Sequence, residues 1–203
     1  MNLHPRDAAV AAATPLKASL YAGTPLPQVG HKDYVGAADG LYVRARTPAL
    51  SVTARLTPAT LPYAPLSEAI VPANGPVPTS LLREFARMAA EDADREIAAV
   101  IVTDGSGYRL IRVDGTDRSA AHVTYDDGQV DDDALVIDLH SHGRLSAFFS
   151  TVDDRSDLSR RGPYIAMVVG ECDQEAIFLP RIVMAPHLID LSMADLYTSG
   201  VLL

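Results

Sequence analysis

The chain has no tryptophan, only four phenylalanines and a single cysteine, Cys172. Its core must therefore be mostly aliphatic, and neither an internal disulfide nor a thiolate-rich zinc cluster is available to it. One cysteine suits a reducing compartment. Positive charge is short as well: 17 Lys and Arg against 26 Asp and Glu leave a net charge of -9, with a pI near 5.0. Such a surface repels a phosphate backbone, and no basic run offsets it, so nucleic acid is disfavoured as a partner. No apolar run reaches the ~20 residues of a membrane span. The short one from Ala8 to Ala13 follows Asp7 and lacks the layout of a signal peptide. The expectation is a soluble protein of the cytoplasm. At 203 residues, 48% hydrophobic and 21% charged, the chain can bury a real core, as one domain or as a domain with an appendage.

Proline is distributed unevenly: 11 of the 14 lie before residue 80, and only Pro163, Pro180 and Pro186 follow. Each ring removes a backbone donor and blocks the preceding helical turn, so most of the first third cannot be helical. Strands are legible there instead. Gly40 to Arg46 and Leu50 to Leu56 alternate in polarity, with Thr47-Pro48-Ala49 between them as the turn of a hairpin. Residues 1–75 read as a small proline-rich β region, and Asn74-Gly75-Pro76-Val77-Pro78 as the linker to a second domain over 79–203.

That second part opens with a helix from Thr79 to Ala93, capped by Thr79 or Ser80. Leu81, Leu82, Phe85, Met88 and Ala89 form its apolar stripe, which reads as core. Strands follow at Ile97–Val102, Tyr108–Val113, Ala120–Tyr125 and Ala134–His140, then a short helix from Asp154 to Arg161 and strands at Tyr164–Val169 and Ala176–Met184. Asp131-Asp132-Asp133 reads as a solvated loop, with a calcium site a poor second. The segment from Leu188 to Leu203 is apolar enough to pack back on the core. Helices interspersed with strands predict an α/β domain, a mixed sheet flanked by helices.

The chemistry concentrates between Leu135 and Asp157. His140 and His142 stand two apart at the end of an apolar strand, so their side chains share a face. Asp153 follows at a helix start, where it can swing back toward them. Two imidazoles and a carboxylate, with one position left open, match the ligand set of a catalytic zinc site. Each residue also has a plain explanation: Ser150-x-x-Asp153 is the pattern of a helix capping box, and a lone histidine is usually a surface or satisfied core residue. The combination at the end of an apolar strand favours the metal reading. A zinc hydrolase needs a further base that is not a ligand, and Glu96, directly before the strand at Ile97, is the acid placed for it. Its alternative is a solvated charge continuous with Glu91, Asp92, Asp94 and Arg95.

The run His140-x-His142-Gly143-x6-Ser150-x-x-Asp153 resembles the signature of the JAMM (JAB/MPN) zinc metalloproteases, in which a proline usually takes the place of Gly143. Glycine there keeps a turn possible and implies a looser one. Arg95-Glu96-Ile97 resembles the place of the family's upstream glutamate. The resemblance covers roughly residues 79 to 185. It implies a JAB/MPN fold with a cytidine-deaminase-like layout. It also implies zinc held by His140, His142 and Asp153 with water as fourth ligand, Glu96 as general base and Ser150 as oxyanion donor. The reaction would be hydrolysis of an amide or isopeptide bond. Asp138 departs from the family's usual apolar residue, and either orients a ligand imidazole or faces solvent as a strand-end acid.

The proline-rich β region ahead of such a domain is similar to the protein A family of the PRTRC (ParB-related, ThiF-related) cassettes. That likeness implies a ubiquitin-like protein or its conjugate as substrate, with a ThiF-like enzyme as a partner. The alternative is a JAMM-like binding scaffold without turnover, and a further rival is a small-molecule or sulfur-carrier amidase. Zinc deaminases pair a histidine with cysteines, which Cys172 alone cannot supply. His4, His31, His122 and His187 show no evident partner in sequence, and Cys172 no base.

Overall fold

The computed structural model describes Arg6, Ala9 and residues 12–21, 23–113 and 131–203. The strand expected at Ala120–Tyr125, together with His4 and His122, lies outside them. The described chain forms a mixed α/β structure with two sheets. The first has five strands in sequential order: β1 (Leu16–Ala18), β2 (Lys32–Ala37), β3 (Gly40–Arg46), β4 (Leu50–Pro58) and β5 (Ala69–Pro72). The expected hairpin is β3–β4, with Arg46 opposite Ser51 across the Thr47-Pro48-Ala49 turn. Inside this sheet Arg44 and Asp33 are both fully buried and joined by two 2.9 Å bonds, one of them from Nε and the other from Nη2. A charged pair taken out of water needs such a fork, since either partner alone would be strongly unfavourable.

The second sheet has six strands in the order β11-β10-β9-β8-β6-β7. These are β6 (Ala98–Thr103), β7 (Tyr108–Val113), β8 (Leu135–Ser141), β9 (Tyr164–Gly170), β10 (Ile177–Met184) and β11 (His187–Asp190). All its pairings are antiparallel except β8 with β9, which are joined through a helix. Parallel neighbours need such a crossover. Helices α1 (Thr79–Glu91), α2 (Thr151–Ser159) and α3 (Met193–Thr198) accompany the sheets.

Helix α1 buries Leu82, Phe85 and Ala89 from the expected stripe, with Leu81 and Met88 packed beside them. Its N-cap, however, is Pro78, and no side chain caps it; Thr79 is already the first helical residue. Pro78 sits at φ -63, the angle its ring imposes, so the chain enters the helix one residue before the hydroxyls. One buried cluster runs from Val43, Leu50 and Val52 of the first sheet through Phe85 to Ile101, Ile137 and Leu139 of the second. The β region and the JAB/MPN-like part thus share this core. The C-terminal segment returns to it through β11 and α3, with Leu196, Val201 and Leu202 buried. No helix among the described residues is long and apolar enough to cross a membrane.

Strand β8 separates two environments. Ile137 and Leu139 point into the shared core. Asp138 and His140 point to the opposite face, where Val100, Tyr164 and Ala166 form a smaller cluster. Helix α2 belongs to that second face, and β8 delivers its polar residues beside the start of the helix.

Candidate metal centre

His140 is the penultimate residue of β8, and His142 follows one residue beyond the strand. The intervening Ser141 is fully buried and ties the strand end to β6: its N–H donates to Ile97 O at 2.9 Å, and its Oγ accepts from Ile97 N–H at 3.0 Å. The His142 N–H donates to Val169 O on β9 at 2.8 Å. Both neighbouring strands therefore fix the backbone that carries the imidazoles.

Asp153 arrives from the other side. Ser150 is the N-cap of α2 in a complete capping box: its Oγ accepts from Asp153 N–H at 3.2 Å, and Asp153 Oδ2 accepts from Ser150 N–H at 2.6 Å. The helix therefore begins at Thr151, three residues before the expected Asp154, because the box itself supplies its first turn. Asp153 Oδ1 lies 3.3 Å from His140 Nε2, and its Oδ2 lies 4.0 Å from His142 Nε2. One ligand atom from each of the three residues lies within 4.8 Å of the other two.

Two features of this group fit a metal ion. His140 Nε2 and His142 Nδ1 are buried without a hydrogen-bond partner; the approach of Asp153 to His140 is close but outside hydrogen-bonding geometry. Buried polar atoms are normally satisfied, and an unpartnered nitrogen on each of two neighbouring imidazoles, whose ring centroids are 5.2 Å apart, fits a ligand. Asp153 is also kept charged. Burial works against its carboxylate, but His140 and the hydroxyl and N–H of Ser150 outweigh that and hold it far below its ordinary range. His140 is shifted upward: burial pulls it down, while the carboxylates of Asp153, Asp138 and Asp157 more than reverse the effect. A borderline cation with two nitrogens and one carboxylate oxygen is the zinc pattern.

Glu96 lies on the loop between α1 and β6 and is exposed. The β6–β8 register pairs Ala98 with His140. Ile97 bonds Ser141 through both its N–H and its C=O, so the backbone of Glu96 runs beside the strand end that carries His142.

Gly143 differs from the looser turn expected of it. Its φ is +59, and a Cβ built there would lie 2.3 Å from Ala93 O. The turn is tight, and it presses directly on the loop that leads to Glu96. Next to it, Arg144 bonds Asp94 at 2.9 Å and Asp173 at 2.8 Å. Asp138 contacts neither an imidazole nor solvent alone: it is half-buried and accepts a 2.8 Å bond from Arg160 Nη1.

Sequence reasoning passed over several residues around this centre. Phe148 sets its ring edge against His142 at 4.5 Å between centroids. Asp157, Tyr164 and Arg181 form a buried polar group behind α2. An arginine in an otherwise apolar strand, at position 181, was the available signal. His187 does have a partner, Tyr34 Oη at 2.7 Å, and thereby links β11 to the first sheet. Cys172 is buried, and burial pushes its thiol up, away from the thiolate a nucleophile requires. His31 is exposed.

The family described as prokaryotic homologs of the JAB domain matches residues 78–182. A second family, a domain of unknown function (DUF2016), matches residues 4–78. No curated protein matches the chain. Among solved structures, the solution structure of a protein from Desulfitobacterium hafniense is 15% identical, covering 57% of this chain and 88% of its own, with a TM-score of 0.40.

Proposed function

The chain belongs to the family of prokaryotic homologs of the JAB domain, and on that footing we propose that it is a zinc-dependent hydrolase of an amide or isopeptide bond. The observation that carries this reading is the grouping of one ligand atom each from His140, His142 and Asp153 within 4.8 Å of one another, with a buried ring nitrogen of each histidine left without a partner. Its substrate would be a ubiquitin-like protein or conjugate, which it processes or removes. A ThiF-like enzyme of the same cassette would be its partner, and the cytoplasm its compartment.

His140, His142 and Asp153 would hold the ion. A zinc ion bound there supplies a Lewis acid and lowers the pKa of its water toward ~7. Glu96, on the loop just before β6, would take the proton from the attacking water and deliver it to the leaving amine. Ser150 spends an oxygen lone pair on the Asp153 N–H. Its O–H would donate to the oxygen on which negative charge develops, a contribution often worth about 3 kcal/mol. Phe148 and the buried floor of Val100 and Ala166 would limit the water around these groups.

Metal analysis of purified protein tests the site. We expect about one zinc per chain, bound through ligand types that structural and catalytic zinc share, and a clear loss in His142→Ala. Equal metal in both proteins would remove the site. Glu96→Gln should retain zinc and lose hydrolysis of an isopeptide-linked ubiquitin-like probe; full activity in that variant would refute the assigned base.

A further inference from the structure

Helix α2 carries both Ser150, at its cap, and Asp153, yet it has almost no apolar anchor. Val152 is 60% exposed and Leu158 39%, and among its nine residues only Asp157 is buried. A short helix normally holds its place by burying an apolar face. Here the attachment is polar, and most of it comes from one side chain of the sheet beneath, Arg181 of β10.

We propose that Arg181 is the positioning residue of the metal centre, acting by anchoring α2 to β10. Its side chain is 3% exposed. Nε and Nη2 donate to Asp157 Oδ2 at 2.9 and 2.6 Å, and Nη1 donates to Asp154 Oδ1 at 2.6 Å. The guanidinium carbon lies 3.6 Å from the centroid of the Phe149 ring. Phe149 directly precedes Ser150, and Asp154 directly follows Asp153. One planar fork therefore grips the chain immediately outside both ends of the Ser150–Asp153 box. Tyr164 assists from β9, donating to Asp157 Oδ1 at 3.0 Å. A lysine in place of Arg181 would keep the charge, but its point-like ammonium cannot hold Asp154, Asp157 and the ring at once. The role of Arg181 toward a metal rests on the zinc reading above; its role as anchor of α2 does not.

The test compares wild type with Arg181→Met, Arg181→Lys and, as a control on the opposite face of the sheet, Phe85→Ala. Amide hydrogen exchange is followed on the protein as purified and after chelation. Zinc affinity is measured by competition with a chromophoric chelator. In both Arg181 variants the amides of α2 should exchange at least tenfold faster while those of β8 and β9 keep their protection. Zinc affinity should fall about 10- to 100-fold, the range usual for groups that orient metal ligands. In Phe85→Ala all elements should lose protection together and the affinity of the folded protein should stay unchanged. If Arg181→Met does not fold, Arg181→Lys carries the comparison. Wild-type protection of α2 in Arg181→Lys, or uniform loss across all elements, overturns the proposal. Failure of the wild type to bind zinc overturns the metal reading, and the exchange measurement still decides the anchor.

Discussion

Replacing Gly143 with alanine probes how tightly the histidine loop is set against the loop that carries Glu96. The JAMM signature carries proline at this position, but a ring locked near φ -65 cannot adopt the +59 found here. Alanine at left-handed φ costs roughly 1–2 kcal/mol. The added Cβ would start 2.3 Å from Ala93 O, a backbone atom that moves only with its loop. Overpacking of this kind costs roughly 1–3 kcal/mol. Reduced freedom of the unfolded chain returns about 0.4–1 kcal/mol. The net expectation for Gly143→Ala is about 2–4 kcal/mol, a fall in Tm of roughly 4–16 °C for a chain of this size. Gly143→Pro should be worse. Gly107→Ala is the matched control, because its Cβ would meet nothing within 4 Å and its φ is not in the left-handed region; it should stay within about 0.5 kcal/mol of wild type or gain slightly. Urea denaturation of the three proteins, with zinc content of each, makes the comparison. Because Ala93 lies three residues before Glu96, the proposed hydrolysis should fall in folded Gly143→Ala out of proportion to any change in bound zinc. A Gly143→Ala midpoint equal to wild type would refute the tight turn and the coupling of the two loops.

Two further outcomes follow from the packing. Phe85 is fully buried at the junction of the two sheets, so Phe85→Ala should cost about 3–5 kcal/mol in denaturant melts; a loss below about 1 kcal/mol would mean the sheets do not share that core. His187 is lowered by burial and by the charge of Lys32, and it bonds Tyr34. A lowered folded pKa means that the unfolded chain binds more protons as the solution acidifies. Its contribution is therefore complete above about pH 6.5 and is lost as pH falls through the lowered value. His187→Gln should show a shallower decline in stability between pH 7 and 5 than wild type, and parallel curves would refute the assignment.

Much of the fold was legible because local pattern and final structure agree. The alternation of Gly40–Arg46 became β3 and that of Leu50–Leu56 became β4, and the stripe of α1 faces the core. Such periodicities depend only on which face of an element is buried. The His-x-His spacing was readable for the same reason, since period two places both imidazoles on one side of β8. The helix cap at Ser150 was readable too, because a capping box joins groups only three residues apart.

What the sequence could determine by itself was therefore local: which faces are apolar, where chain turns are forced, and which ligand types lie close along the chain. Tertiary structure decided the rest. Asp138 is committed to Arg160, 22 residues away, and His187 to Tyr34, 153 residues away. Gly143 is required by the carbonyl of Ala93, a contact with no trace in either local pattern. Arg181 reads as one charge in an apolar strand until the sheet brings it beneath α2. The physical reason is the same in each case. Hydrogen bonds and close packing act over a few ångströms in space, and only the folded sheet sets which distant residues come within that reach.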